Sequence, residues 1–396
     1  MKFGEWYREG GKENAAFDCR LEGRSAQIVK KTKEYAVEEI FLKVDEIQKP
    51  GLYDFVLEMQ SDGLKTKTLL SWYDTENREV KREYVKSIDT VYIPEGTRKL
   101  VLAVTGYGTE PGTVTVQNVA LQFKQEYQKR IATLAALPID YGLECEHRKR
   151  TGEDNLNDSL RRIDSLMQRF PKVDLIVLTE CFYSRNCFAT KDVWLSIDSP
   201  QIDKMRDKAK QHGVYLAFSF KEKTKDGILY NTALLIDRKG EISAVYHKTH
   251  LTVSEYEDGM KPGDEAVVVD TDFGRVGFAI CWDFFFPEFC RLLQQKGAEI
   301  IINPTAGFMQ EQSIMRARDN GVYVINCTTT FGTTKIFNPE GEEIAAADGR
   351  GVAIAEVDLE QEFLVRYLSV SKSSASRRNI YMNERRPDLY QSLAQT

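Results

Sequence analysis

The chain has 396 residues and a formal net charge of −6; this length exceeds one ordinary domain, and the charge gives no electrostatic footprint for nucleic acid or an anionic membrane surface. No run of about 18 apolar residues occurs, and the opening MKFGEWYREGGKEN lacks the apolar centre of a signal peptide. Cys19, Cys145, Cys181, Cys187, Cys281, Cys290 and Cys327 are odd in number, scattered and without zinc-site spacing, so a soluble, cytoplasmic protein without a disulfide framework is expected.

Residues 1–125 read as all-β. Glu39 to Val44, Leu52 to Met59, Leu69 to Tyr73, Thr90 to Ile93, Leu100 to Val104 and Val114 to Phe123 are short β-rich runs separated by KPG, SDG, PEG and TEPG turns. That pattern predicts an antiparallel β-sandwich. Its layout loosely resembles the jelly-roll modules attached to carbohydrate-active enzymes, which implies weak glycan binding. Trp72 and Tyr73 are the candidates to stack on such a ligand, against the reading that both belong to the sandwich core.

After the charged junction KQEYQKR the pattern changes to alternating strand and helix, and residues 130–396 are expected to form a second, α/β domain. Ile131 to Leu137 is its first strand. Asp154 is placed as the cap of a helix whose Leu156, Leu160, Ile163, Met167 and Phe170 recur at spacings of three and four. Leu175 to Leu178 is a buried strand that stops at Thr179-Glu180-Cys181, so Glu180 is either a surface terminus or a site residue. Tyr230 to Ile236 and Ile242 to Tyr246 form a hairpin that runs into His247-Lys248-Thr249-His250. Alone, Lys248 reads as a solvated lysine, and the two histidines lack a third ligand nearby, so no metal is expected.

Val276 to Ile280 is an apolar run that ends at Cys281. Asp283 and Phe284 to Phe286 lead to Pro287 at the first turn of a helix, which ends at Gly297 before the run Ile300 to Ile302. This is a strand, crossover helix and strand, the unit of a parallel sheet, in which chemistry collects at the carboxyl ends of strands. Alone, Cys281 reads as a small buried hydrophobe.

The segments LIVLTECF, YHKTHL, AICWDFFFPE and MRARDNGVYVINCT, with FNPEGEEI and RRPDLY, occur in this order. Together they resemble the nitrilase superfamily of carbon–nitrogen hydrolases over residues 130–396, with Thr179 in place of a proline and His247 in place of an arginine. The resemblance implies a four-layer α-β-β-α sandwich, often paired through its helical face into homodimers or larger homo-oligomers. It also implies Glu180 as general base, Lys248 as electrostatic stabiliser and Cys281 as nucleophile. For a further glutamate, Glu255 matches by spacing and Glu257 is its rival; the stretch after Thr252 looks like a helix start, in which only one of the two faces inward.

The chemistry stands without the name: a carboxylate whose pKa burial raises towards neutrality can take the thiol proton. Lys248 and the backbone N–H of Trp282 can meet the developing oxyanion. The cycle needs no metal and no cofactor. Phe182, Tyr183, Trp282 and Phe308 flank the matched strand ends and suggest partly apolar pocket walls, as core packing also explains. Hydrolysis of a small amide or N-carbamoyl compound is expected. The alternatives are a nitrile substrate, a cysteine–histidine enzyme using His147, His212, His247 or His250, and an inert scaffold whose sandwich does the binding.

Overall fold

A strand covered on both faces has apolar side chains at every position, whereas a strand with one wet face alternates. Both kinds occur here, in separate parts of the chain. The computed structural model describes residues 2–8, 14–47, 49–126, 129–139, 150–185, 187, 193–328, 333–349, 351–361, 363 and 377–390. The chain divides into two compact units, Met1–Gln128 with Leu364–Thr396, and Lys129–Phe363.

The first unit contains β1 (Lys2–Tyr7), β2 (Phe17–Glu22), β3 (Ser25–Lys30), β4 (Ala36–Asp45), β5 (Gly51–Asp62), β6 (Lys65–Tyr73), β7 (Glu79–Tyr84), β8 (Ile88–Ile93), β9 (Lys99–Gly108) and β10 (Gly112–Gln125). They form two five-stranded sheets, in the orders β1-β4-β9-β6-β7 and β2-β3-β10-β5-β8. Every pairing is antiparallel. Alternation fills the space between the sheets: Ile40, Leu42 and Val44 of β4 and Tyr53, Phe55 and Leu57 of β5 are buried in one cluster. Trp72 is fully buried in that cluster, so its ring offers no stacking surface for a glycan, and Tyr73 lies half-buried with the Lys99 ammonium 4.6 Å from its ring.

The second unit contains two six-stranded sheets. The first has the order β15-β14-β13-β12-β11-β22; its members are β11 (Ile131–Leu137), β12 (Leu175–Leu178), β13 (Tyr215–Lys223), β14 (Leu229–Ile236), β15 (Ile242–His247) and β22 (Ala353–Asp358). The second runs in sequence order through β16 (Val268–Asp270), β17 (Arg275–Phe278), β18 (Ile300–Pro304), β19 (Tyr323–Cys327), β20 (Thr334–Phe337) and β21 (Glu343–Ala347). Leu134, Ala136, Leu175 and Val177 share one core with Phe278, Ile300 and Val324 of the other sheet. The alternate residues Ala135, Leu137, Ile176 and Leu178 instead pack on the side of α1 (Gly152–Arg169) and α2 (Pro200–His212).

Around the short α3 (Val253–Glu257), the remaining helices complete the layers: α4 (Pro287–Gln295) and α5 (Gln310–Asn320) bring Phe289, Leu293 and Ala317 to the core of the second sheet. This is the α-β-β-α sandwich that the resemblance implied. In the last segment α6 (Arg377–Asn383) and α7 (Pro387–Tyr390) are described. Among the described residues no helix is long and apolar enough to cross a membrane.

Two local readings change. The cap of α1 is Thr151, not Asp154; Asp154 closes a capping box by accepting the Thr151 N–H at 2.9 Å while Thr151 Oγ1 accepts the Asp154 N–H. Phe170 caps the far end and is 40% exposed, so it lies off the apolar face.

Candidate active site

Strand direction assembles the site. β11, β12 and β13 are parallel, β14 runs against β13, and β15 runs against β14. The ends of β12 and β15 and the start of β14 therefore lie on one edge of the sheet, and these deliver Glu180, Lys248 and Asn231. In the second sheet β17, β18 and β19 are parallel, and Cys281 follows β17 at its carboxyl end. Cys181 and Cys281 both have positive φ, 50° and 47°, which is uncommon for residues other than glycine and costs about 1–3 kcal/mol each. The sharp turn after β17 aims Cys281 away from the strand line; the 3-10 turn of residues 281–285 then leads into α4, with Pro287 in its first turn.

Glu180, Lys248, Glu255 and Cys281 line one cavity of about 390 Å³, within the size range of small-molecule sites. Lys248 is 1% exposed, and its Nζ donates to Glu180 Oε1 at 3.1 Å and to Glu255 Oε1 at 3.0 Å. Asn231 Nδ2 donates to the same two oxygens, at 3.0 and 2.7 Å, and the Asn231 carbonyl accepts the Lys248 N–H at 2.9 Å. The other Glu180 oxygen accepts from Arg185 Nη2 at 3.1 Å and from the Ala306 N–H at 3.0 Å. Glu255 is the inward-facing acid: its Oε2 accepts from the Thr252 N–H and hydroxyl in a capping box that starts α3, while Glu257 is exposed.

Charge sets the resting state. Burial pushes the Glu180 carboxyl up, but the charges of Lys248 and Arg185 outweigh it, and the group is held below the usual carboxylate range. The expectation that burial brings this carboxyl towards neutrality is therefore corrected, because the charges of Lys248 and then Arg185 together outweigh burial. Burial and the Glu180 charge push the Cys281 thiol up to about 11, against the pull of Lys248. Burial works to lower the Lys248 pKa, but Glu180, Cys281 and Glu255 outweigh it and keep the ammonium charged. At neutral pH the group is a carboxylate, an ammonium and a neutral thiol.

Asp283 joins the lysine loop to the cysteine turn, which the sequence reading missed. It is fully buried; Oδ2 accepts from the Ile280 N–H and the Tyr246 hydroxyl at 2.7 Å each. Oδ1 accepts from the His250 N–H and the Thr249 hydroxyl at 3.0 Å, with His250 Nδ1 at 2.8 Å. Asn303 Oδ1 accepts the Cys281 N–H at 2.7 Å and so steadies the turn from β18. The signal for both residues was a polar side chain inside or beside an apolar strand, which cannot be buried without partners.

The expected aromatic walls are not where the sequence placed them. Phe182 is fully buried in the core beside α1 and α2, edge-on to Phe218 at 4.9 Å. Tyr183 is buried in that same cluster, with Gly152 against its ring. The Trp282 ring packs on Phe285, with centroids 4.0 Å apart. Phe308 lines an adjoining cavity of about 320 Å³ that shares Ala306 with the first. No aromatic residue lines the main cavity among the described residues; its lining mixes Ser184, Arg185, Lys221, Thr252 and Ser254 with cysteines and Ala306.

No described histidine lines that cavity. His212 meets Asp164 at 2.7 Å, His247 meets Glu222 at 3.2 Å and His250 meets Asp283, so the cysteine–histidine alternative has no base among the described residues, and His147 lies outside them. His247 and His250 bond different acids, Glu222 and Asp283. Among the described residues no group of three or more His, Cys, Asp or Glu is placed to hold a metal ion.

Residues 131–367 match the family model described as carbon-nitrogen hydrolase. The chain is 29% identical over 252 residues to the deaminated glutathione amidase of Dictyostelium discoideum, covering 54% of this chain and 86% of that protein. It is 31% identical over 229 residues to the N-carbamoylputrescine amidase of Arabidopsis thaliana, covering 49% and 73%. In fold it is similar to the crystal structure of a carbon-nitrogen hydrolase from Helicobacter pylori G27, with TM-score 0.56, 22% identity and coverage of 68% of this chain and 100% of that one. Because the family model spans more than half of its length, the chain belongs to the carbon-nitrogen hydrolase family of the nitrilase superfamily and is an enzyme acting on carbon–nitrogen bonds.

Proposed function

We propose that the enzyme hydrolyses a small, polar amide or N-carbamoyl compound through a thioester on Cys281. The observation that carries this reading is the convergence of Cys281, Glu180 and Lys248 on one cavity, with Lys248 Nζ 3.1 Å from Glu180. The resting charges suit the roles, since a base must begin as a carboxylate. In the first step the thiol proton passes to Glu180 as sulfur bonds to the amide carbon, and the carbonyl electron pair moves onto oxygen. Lys248 and the backbone N–H of Trp282 meet that oxyanion. Its collapse breaks the carbon–nitrogen bond, and the amine leaves with the proton held by Glu180. Water then gives a proton to the same carboxylate and adds to the thioester, and breaking the carbon–sulfur bond returns the thiol.

Glu255 keeps Lys248 charged and in place, which a buried ammonium needs. The charged and hydroxyl side chains among the lining residues give a polar substrate groups to meet. Pairing of chains through the helical face is part of the same reading; exposed Leu292 on α4 and Met315 on α5 give that face apolar surface, and sedimentation measures the outcome. The test of function is ammonia release from amides, N-carbamoyl compounds and nitriles by the wild type and by Cys281→Ala. Activity on amides or N-carbamoyl compounds that is lost in the variant supports the proposal. Activity confined to nitriles transfers the substrate class, and equal activity in the variant removes the thioester.

A further inference from the structure

Asn155 lies near the start of α1, on the side that the helix buries, and is 0% exposed. A buried amide needs partners at both ends. Its Nδ2 donates to the Tyr183 and Arg185 carbonyl oxygens at 2.9 Å each, with the Cys187 sulfur at 3.5 Å, and its Oδ1 accepts from Arg150 Nε. Carbonyls on one side and a guanidinium on the other fix which way the amide points. We propose that Asn155 is a positioning residue of the active site: by holding the backbone of residues 183–185 it seats the Arg185 guanidinium on Glu180. The proposal rests on the reading of Glu180 as the base.

The turn that Asn155 holds starts from a strained residue. Cys181 has φ 50°, a conformation that persists outside glycine only where the surroundings impose it. β13 imposes the start: Ser219 accepts the Cys181 N–H on its hydroxyl and the Phe182 N–H on its carbonyl, at 2.8 Å each. α1 imposes the end. Besides the two bonds from Asn155, Gly152 sits against the Tyr183 ring, where an added Cβ would come within 2.3 Å of it. Arg185 thus donates its N–H to the Cys181 carbonyl at 2.9 Å while its own carbonyl accepts from Asn155. Its side chain folds back over the turn, with Nη2 at 3.1 Å from Glu180 Oε2 and both Nε and Nη2 at 3.3 Å from the Glu180 carbonyl. Contacts of 3.3 Å are long for such bonds, so the placement of the charge depends on the anchored backbone.

That placement bears on the reaction. Burial disfavours the carboxylate form of Glu180, and Lys248 and then Arg185 favour it; this is the form that takes the thiol proton. The titratable and charged groups around Glu180 are Lys248 after β15, Glu255 on α3, Cys281 after β17, and Cys181 and Arg185 on its own turn, with Lys221 and Asp258 on the same cavity wall. Of all these, Asn155 bonds Arg185 alone. Loss of the Asn155 amide should therefore free Arg185 and move one quantity in one direction: with less positive charge beside it, Glu180 takes up its proton at a higher pH. A residue that only braces the fold would change stability and leave that pH where it is.

The experiment follows the acid limb of kcat/KM, on an amide that the enzyme hydrolyses, for the wild type, Asn155→Ala, Arg185→Gln and the double variant. Both single variants are expected to move the limb to higher pH, and the double variant no further than Arg185→Gln alone, since both changes act through one charge. A limb unmoved in Asn155→Ala, or a double variant displaced by the sum of the two shifts, overturns the proposal while leaving the hydrolytic reading intact. If Asn155→Ala does not fold, Gly152→Ala displaces the same turn through the Tyr183 ring and keeps every hydrogen-bonding side chain. Its limb is expected to rise, and an unmoved limb overturns the proposal. If no amide, N-carbamoyl compound or nitrile is hydrolysed, the hydrolytic reading fails, and titration of the Glu180 carboxyl decides the positioning role without turnover. It is followed by NMR of isotope-labelled glutamate side chains in Cys281→Ala, with the resonance assigned by its loss in Glu180→Gln. A midpoint that Asn155→Ala raises supports the proposal, and one that it leaves unchanged overturns it.

Discussion

Replacing Glu180 with glutamine separates two effects that usually move together. The carboxylate accepts from Lys248 and Asn231 on one oxygen and from Arg185 and the Ala306 N–H on the other. A glutamine keeps one acceptor and turns an NH₂ group towards the remaining donors. Leaving a buried donor unpaired costs about 1–3 kcal/mol; Arg185 is partly exposed and can rehydrate, so one such penalty is expected. For a domain of this size that lowers Tm by about 2–10 °C. Lys248 keeps Glu255 and remains charged. Loss of the base should reduce turnover by roughly 10²–10⁴-fold.

The thiol should move the other way. Burial and then the Glu180 charge raise the Cys281 pKa to about 11, so removing that charge shifts the midpoint of the pH profile for iodoacetamide alkylation downwards. Ammonia release, thermal unfolding and the alkylation profile are measured on the same preparations. A loss below tenfold in kcat/KM together with an unmoved alkylation midpoint would refute both the assignment of the base and the electrostatics behind it.

Glu255→Gln is expected to cost on the order of 10²-fold or more in kcat, and Glu257→Gln to be mild; the reverse ranking in matched assays transfers the role. In the wild type the acid limb of kcat/KM should lie below the ordinary carboxylate value of 4.5, because the folded Glu180 pKa is depressed and the base is lost only as pH falls through that lower value. A limb near neutrality contradicts this. Asp283→Asn puts an NH₂ group among donors from both loops, so Tm should fall and kcat should drop by on the order of 10²-fold; full kcat in the folded protein would make Asp283 a scaffold residue only. A chain beginning at Lys129 should stay soluble and hydrolytic, since the clusters of residues 132–359 and of residues 6–119 are separate cores. Its aggregation would make the two units one structural whole.

The strands that carry the site were legible because both faces of their sheets are covered. Leu175–Leu178 has no polar residue to interrupt it, and Ile300–Pro304 begins with three isoleucines. The strands Lys2–Tyr7, Phe17–Glu22 and Glu79–Tyr84 escaped notice because charged residues break up their apolar pattern, and Ser25–Lys30 is similarly mixed. That only one of Glu255 and Glu257 faces inward was legible because a helical turn sends residues two apart to different faces, and the capping box at Thr252 supplies that turn; the preference for Glu255 came from the spacing of the resemblance.

Phe182 was misplaced for a local reason: the chain reverses at Cys181, whose φ is 50°, and carries the next ring into the core of the first sheet. Asn231 and Asp283 were missed because their importance arises from partners 51 and 37 positions away in sequence, and only the folded edge brings those partners together; Arg185 is near Glu180 in sequence but meets its carboxylate through the turn at Cys181.

The central claim is a covalent acyl group on Cys281. The most direct measurement is mass analysis of the wild type quenched during turnover of an amide it hydrolyses, followed by mapping of the modified peptide. The account predicts an added mass equal to the substrate less ammonia on Cys281, removable by hydroxylamine and absent from Cys281→Ala, which releases no ammonia. Ammonia release by Cys281→Ala at the wild-type rate would contradict it.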